Sequence, residues 1–189
     1  MPVQVRRLDP QSRKQVRDFL DLPFRIYREI PQWVPPLQME ARAMLDRQRN
    51  PFYAHSEAAF FLAYASAEAP PTGRLAVLDN AHYNTYNQEH TAFFYLFECA
   101  HQPETAAALF EAAFDWARRR GLNQVIGPKG FTALDGMGLL VKGFEHRPAF
   151  GIPYNPAYYT ELVEAAGFAP CGDTVSGYLS PQTPFPEKI

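Results

Sequence analysis

Glu98 closes an otherwise apolar run, Thr91-Ala92-Phe93-Phe94-Tyr95-Leu96-Phe97-Glu98-Cys99. Apolar residues on both alternating faces mark a central strand covered on each side. A carboxylate at the end of such a strand is partly desolvated, and desolvation raises its pKa toward that of a working general base. The competing use of such a group is structural, paired with an arginine or a backbone N–H. Glu57, near His55 at the start of another strand, is a second candidate base. The five histidines, at positions 55, 82, 90, 101 and 146, fall on loops or element ends at no metal-ligand spacing, so no metal is expected. Cys99 and Cys171 are too few for a disulfide framework, and neither has an adjacent basic residue that would favour a thiolate nucleophile. Gly136-Met137-Gly138 lies outside a strand-to-helix turn and is no dinucleotide fingerprint; a nucleophile elbow and a P-loop are also missing from the sequence.

The elements that must position these groups follow from periodicity and punctuation. Val3 to Leu8 reads as an opening strand ended by Asp9-Pro10. Ser12 is suited to cap a helix carrying Val16, Phe19 and Leu20 on one face. Pro23 is costly in a helix interior, so a fresh turn is expected there. Trp33-Val34-Pro35-Pro36 must be extended, Leu37–Leu45 reads as a short helix, and Asn50-Pro51 is the next break. Glu57–Ala65 and Arg74–Leu78 form a hairpin about the turn at residues 69–73. Asn80–Glu89 is polar and turn-rich. Pro103 then opens the clearest helix, striped by Ala106, Leu109, Phe110, Ala113, Phe114 and Ala117 and closed by Gly121. With Asn123–Ile126 as the next strand, this is a βαβ-like unit. Residues 127–156 show little periodicity, Pro156–Ala166 is a short helix, and Asp173–Leu179 reads as a last strand.

Composition sets the outer limits. The chain has 189 residues, 47% hydrophobic and 20% charged, the profile of a globular domain with a full core. Its net charge of -2 gives no case for nucleic acid or an anionic membrane. Residues 1–50 hold ten Lys/Arg against six Asp/Glu, an excess that would steer an anion or simply solvate a helix face. The start has no apolar signal region and no run reaches membrane-span length, so a cytoplasmic protein is expected.

The order of elements resembles the GNAT superfamily of acyl-CoA-dependent acyltransferases. Two segments carry the likeness: strand 91–98 with helix 103–120 and Gly121-Leu122, and Asn155 followed by Glu164-Ala165-Ala166-Gly167-Phe168. Further stretches resemble a YghO-like group of bacterial GNAT-fold proteins. They are Trp33-Val34-Pro35-Pro36-Leu37, Asn50-Pro51-Phe52, Phe93 to Cys99, Gly138-Leu139-Leu140-Val141 and Pro153-Tyr154-Asn155-Pro156. The resemblance implies an α/β (α+β) fold, with a mixed, mostly antiparallel central sheet flanked by helices on both faces. It implies one GNAT-like domain over residues 1–182 and the start of a further helix or linker over 183–189, as in the N-terminal half of a longer protein.

Acetyl-CoA or another acyl-CoA would be the cosubstrate and a small-molecule amine the acceptor. The resemblance puts Phe97, Glu98, Gln102, Thr105, Ala106, Ala107 and Asn155 at the acyl-CoA site, with Glu98 and Tyr158 as catalytic groups. Two departures weigh against a working site. Thr105 stands where the superfamily's pyrophosphate loop has a central glycine, while Pro103 removes an N–H and Glu104 adds a negative charge. Val163 stands where a tyrosine often serves as general acid; Tyr158 and Tyr159 lie about one turn earlier, with packing as their alternative role. Three readings follow: an acyl-CoA-dependent N-acyltransferase, a catalytically silent GNAT-like module that pairs with a second such domain or as a homodimer, and an unrelated α/β small-molecule binder.

Overall fold

The structure is a computed structural model and describes residues 3–66, 68–132, 134–177 and 182. Among the described residues, five strands form one sheet in the order β1(Gln4–Arg7), β2(Glu57–Tyr64), β3(Gly73–Asp79), β4(Thr91–Cys99) and β5(Gln124–Ile126). Neighbours are antiparallel except β4 and β5, which are parallel across the helix α4(Pro103–Arg119). The mixed, mostly antiparallel sheet covered by helices on both faces is the fold class read from the sequence.

Side-chain alternation sorts the strands into two cores. Ala59, Phe61, Leu75, Val77, Ala92 and Phe94 face α4 and the short helix α5(Tyr159–Ala165). Ala58, Phe60, Leu62, Ala76, Leu78 and Phe93 face α1(Arg13–Ile26), α2(Gln38–Leu45) and a 3-10 turn over Pro51–Ala54. Ser12 caps α1 by accepting the Gln15 N–H, and Asn50 caps the 3-10 turn by accepting the Phe52 N–H. Gly73 sits where a Cβ would come within 2.8 Å of Thr105 and Leu109, so its bare backbone lets α4 lie close on β3.

Four expectations change. Asn80–Glu89 contains a helix, α3(Ala81–Asn87), because the Asn80 side chain accepts the Tyr83 N–H and so starts it. Asp173–Gly177 is irregular and exposed, with no strand partner among the described residues; Tyr178, Leu179 and the helix start expected at 183–189 lie outside the described residues. The helix expected from Pro156 begins only at Tyr159. Pro23, expected to end a helix, lies inside α1. A proline leaves the carbonyl four residues earlier without its helical donor. That carbonyl belongs to Phe19, and the buried guanidinium of Arg74 donates to it from β3 at 2.7 Å.

Candidate functional site

The site is built by a bulge. In the β3–β4 ladder Arg74 stands opposite Glu98 but Ala76 stands opposite Tyr95, so β4 carries one extra residue between them. Leu96, inside that interval, has φ 51°. The insertion shifts the parity of the strand. Before it, Ala92 and Phe94 point toward α4; after it, Phe97 and Cys99 do. Glu98 is thereby turned to the face that carries Arg74. β5 pairs only with residues 91–93, and the Lys129 N–H donates to the Phe94 carbonyl. Beyond Phe94, among the described residues, the outer edge of β4 has no strand partner.

Glu98 lies in a polar cluster within apolar surroundings. Its side chain is 14% exposed, and Arg74, 4% exposed, approaches one carboxylate oxygen at 3.6 Å. The Tyr159 hydroxyl donates to the other at 2.8 Å. Tyr27 faces the same carboxylate and donates to the Tyr154 carbonyl at 3.2 Å. Burial raises the Glu98 pKa, against the opposing pull of Arg74 and the two tyrosine hydroxyls. Burial likewise lowers Arg74, with Glu98 as the largest opposing charge. The guanidinium also lies over the Phe19 ring at 4.8 Å, while its Nε is buried with no partner. Both candidate roles for Glu98 therefore meet in one place: a desolvated carboxylate that is also paired with an arginine.

The edge of β4 at Cys99 is taken by α5 and the residue before it. The Tyr159 hydroxyl accepts the Cys99 N–H at 2.9 Å, and the Tyr158 hydroxyl donates to the Cys99 carbonyl at 2.8 Å. Tyr159 is 1% exposed, and His101 stacks on the Tyr158 ring at 4.4 Å. Burial pushes the Tyr158 hydroxyl up to about 12, so it remains a neutral donor at physiological pH. These hydroxyls face inward, onto the strand backbone.

The remaining residues singled out in the sequence are dispersed. Phe97 is buried, its ring 4.9 Å from Phe110 and 5.1 Å from Tyr159. Gln102 is the exposed N-cap of α4, and its carbonyl accepts the N–H groups of both Thr105 and Ala106. The Thr105 hydroxyl donates to the Gln102 side chain at 3.1 Å. Thr105 and Ala106 are buried, and Ala107 is exposed. Asn155 is buried and holds the 127–156 loop: it accepts the Leu140 N–H at 2.7 Å and donates to the Leu140 and Pro156 carbonyls. Val163 is buried against the α4 core. The sequence reading missed Arg74 and Tyr27 and did not bring Tyr159 to Glu98. A lone arginine within the apolar strand Gly73–Asp79 was the available signal, because a buried cation requires partners.

An acyl-CoA molecule at this site requires bare N–H groups at the start of α4 and a free β4 edge for its pantetheine arm. Pro103 has no N–H, Glu104 adds a negative charge in the same turn, and the Cys99 N–H and carbonyl are each hydrogen-bonded to a tyrosine hydroxyl. The residues present do not fit that ligand. Among the described residues, no three His, Cys, Asp or Glu side chains are grouped to hold a metal ion, and no helix is long and apolar enough to cross a membrane.

The sheet order, the bulged fourth strand and the α4 crossover define a GNAT acetyltransferase fold. Aminoglycoside acetyltransferase meta-AAC0020 from an uncultured soil metagenomic sample, solved with sisomicin, aligns over 94% of this chain and 95% of its own at TM-score 0.56 and 12% identity. A tandem GNAT protein from the clavulanic acid biosynthesis pathway aligns over 87% of this chain and 43% of its own at TM-score 0.56 and 16% identity. In sequence the chain is similar to YghO and to a bacterial ceramide synthase. It is 27% identical to Protein YghO of Escherichia coli (strain K12) over 83% of its length. To the bacterial ceramide synthase of Caulobacter vibrioides (strain NA1000 / CB15N) it is 31% identical over 84%. It spans 40% and 41% of those two proteins, respectively. No family model matches the chain.

Proposed function

We propose that this chain serves the transfer of an acyl group from a coenzyme A thioester to an amine. In this reading it is a GNAT-like lobe that works beside a second one and does not itself hold acyl-CoA along β4. The carrying observation is the pair of tyrosine hydroxyls on the Cys99 backbone, which occupy the edge a pantetheine arm would use. The missing N–H of Pro103 and the carboxylate of Glu104 in the first turn of α4 support it independently. Two similarities support the reaction class: the acetyltransferase fold, and the resemblance to a ceramide synthase, whose named product is an N-acylated long-chain amino alcohol. The relatives' greater length and the tandem GNAT neighbour support the second lobe, in the same polypeptide or in a partner.

A second reading rests on Glu98. A desolvated carboxylate beside a bulged edge is suited to take a proton from an attacking ammonium, which would make this chain the catalytic lobe. Calorimetric titration with acetyl-CoA separates the two. No heat of binding up to millimolar ligand is the expected result; a dissociation constant in the micromolar range would assign acyl-CoA to this chain and overturn the first reading.

A further inference from the structure

Single exposed apolar side chains are scattered over most protein surfaces and carry no message. Here they are gathered. Of the ten large apolar side chains exposed among the described residues, five lie in 134–152 and three in 24–39. The first set is Leu134, Met137, Val141, Phe150 and Ile152; the second is Phe24, Leu37 and Met39. Leu134 is 95% exposed and Met39 79%.

The two stretches meet. Gly136 lies against Gly151 and Pro153, where a Cβ would come 2.9 Å from the Pro153 ring, and Asn155 holds Leu140. Residues 134–141 and 150–155 therefore fold side by side. Tyr154 accepts the Tyr27 hydroxyl on its carbonyl at 3.2 Å. The Tyr27 ring stacks on Trp33 at 4.7 Å, and Phe24 meets the same indole edge-on at 5.2 Å. A line of contacts thus joins the loop to the end of α1.

The make-up of this face selects what covers it. Ligand pockets are concave, but the grooves lined by Phe114 and Phe168 and by Leu45 and Phe60 contain none of these eight side chains. Protruding apolar tips suit a fluid apolar phase. The exposed Arg28 and Lys142 stand close in sequence to Phe24 and Val141, placed to lay their stems on lipid and reach a headgroup. Trp33 and Tyr154 are half-buried behind the tips, and such amphipathic rings favour the headgroup layer. The two stretches hold four Lys/Arg and three Asp/Glu, so their attraction to lipid is apolar and not a pull toward anionic charge.

We propose that this face docks on the surface of a lipid bilayer, with the apolar tips of 134–152 in the outer hydrocarbon. The choice of a bilayer rests on the acyl-transfer reading. N-acylation of a long-chain amino alcohol turns its ammonium into an uncharged amide, and a product of that kind stays in lipid. A lobe seated on the bilayer keeps the reaction beside its acceptor.

Sedimentation of the full chain with phosphatidylcholine vesicles, without acyl donor or acceptor, tests this. The protein should pellet with the vesicles at high salt as at low, because apolar burial is not screened as charge is. Phe150→Ser with Ile152→Ser should weaken binding by about tenfold or more. Tyr86→Ser, which removes an exposed aromatic from α3 outside both stretches, should leave it unchanged. Circular dichroism checks that each variant folds. A second reading does not need the double variant: an environment-sensitive fluorophore on Val141→Cys, with Cys171→Ser and Cys99 buried, should shift to the blue on vesicles. The same label on Tyr86→Cys should not. No pelleting at millimolar lipid overturns the proposal, and so does binding that requires anionic lipid. Pelleting with the Val141 label unmoved means that another surface binds, and overturns it as well. A chain that ignores vesicles yet self-associates in light scattering, with that label shifted, would put protein on this face instead. With no donor or acceptor present, a failure here leaves the acetyl-CoA titration and the reading it tests untouched.

Discussion

Glu98 is held by three kinds of interaction, and each makes a different demand. Arg74 supplies charge, Tyr159 a hydrogen bond, and the surrounding apolar residues the desolvation that raises its pKa. Because the folded-state pKa lies above that of the unfolded chain, the folded protein keeps a proton that the unfolded chain has already lost. The contribution of Glu98 to stability therefore falls as pH rises from the ordinary carboxylate range through the raised value. Urea unfolding of wild type and Glu98→Gln at a series of pH values should show the wild-type advantage shrinking over that window. An advantage that grows would mean the Arg74 pair outweighs desolvation. Tyr159→Phe removes one hydroxyl and leaves both the Cys99 N–H and a Glu98 oxygen short of a partner. A loss of about 1–3 kcal/mol by denaturant midpoint is expected, and a change within error would show that water replaces the hydroxyl.

At the scale of elements, the parity shift in β4 and the proline in α1 do the positioning. The apolar run 91–99 was readable as a central strand, and Glu98 stood out within it. Nothing in the run announces that Leu96 adopts φ 51° and turns Glu98 toward α1, because a bulge is set by the neighbouring strand's register. Pro23 misleads for a related reason. Local chemistry says that a proline ends a helix, yet Arg74, far away in sequence, supplies the donor that the Phe19 carbonyl lacks. This makes an unusual prediction for Pro23→Ala. Replacing an interior helix proline by alanine ordinarily gains about 3 kcal/mol. Here the backbone N–H restored by the substitution would compete with the Arg74 guanidinium for the Phe19 carbonyl, so the gain measured by urea unfolding should be well below that. A full gain would show that the Arg74 bond contributes nothing.

At the scale of the molecule, the two cores, the α4 crossover and the GNAT-like element order were all legible in residue periodicity and motif. The state of the β4 edge and of the start of α4 was only half legible. Thr105, Pro103 and Glu104 signalled a poor phosphate cradle, and Val163 a missing acid. That Tyr158 and Tyr159 meet the Cys99 backbone depends on how α5 packs against the sheet end, a contact across some 60 residues of chain. The tyrosine-occupied edge of β4 decides whether acetyl-CoA lies on this chain, and amide resonances report on it by position. In an isotope-labelled sample titrated with acetyl-CoA to millimolar concentration, the Cys99, Thr105 and Ala106 amides should keep their chemical shifts. Shifts of these three amides together, saturating in the micromolar range, would contradict an occupied edge and place the cosubstrate along β4.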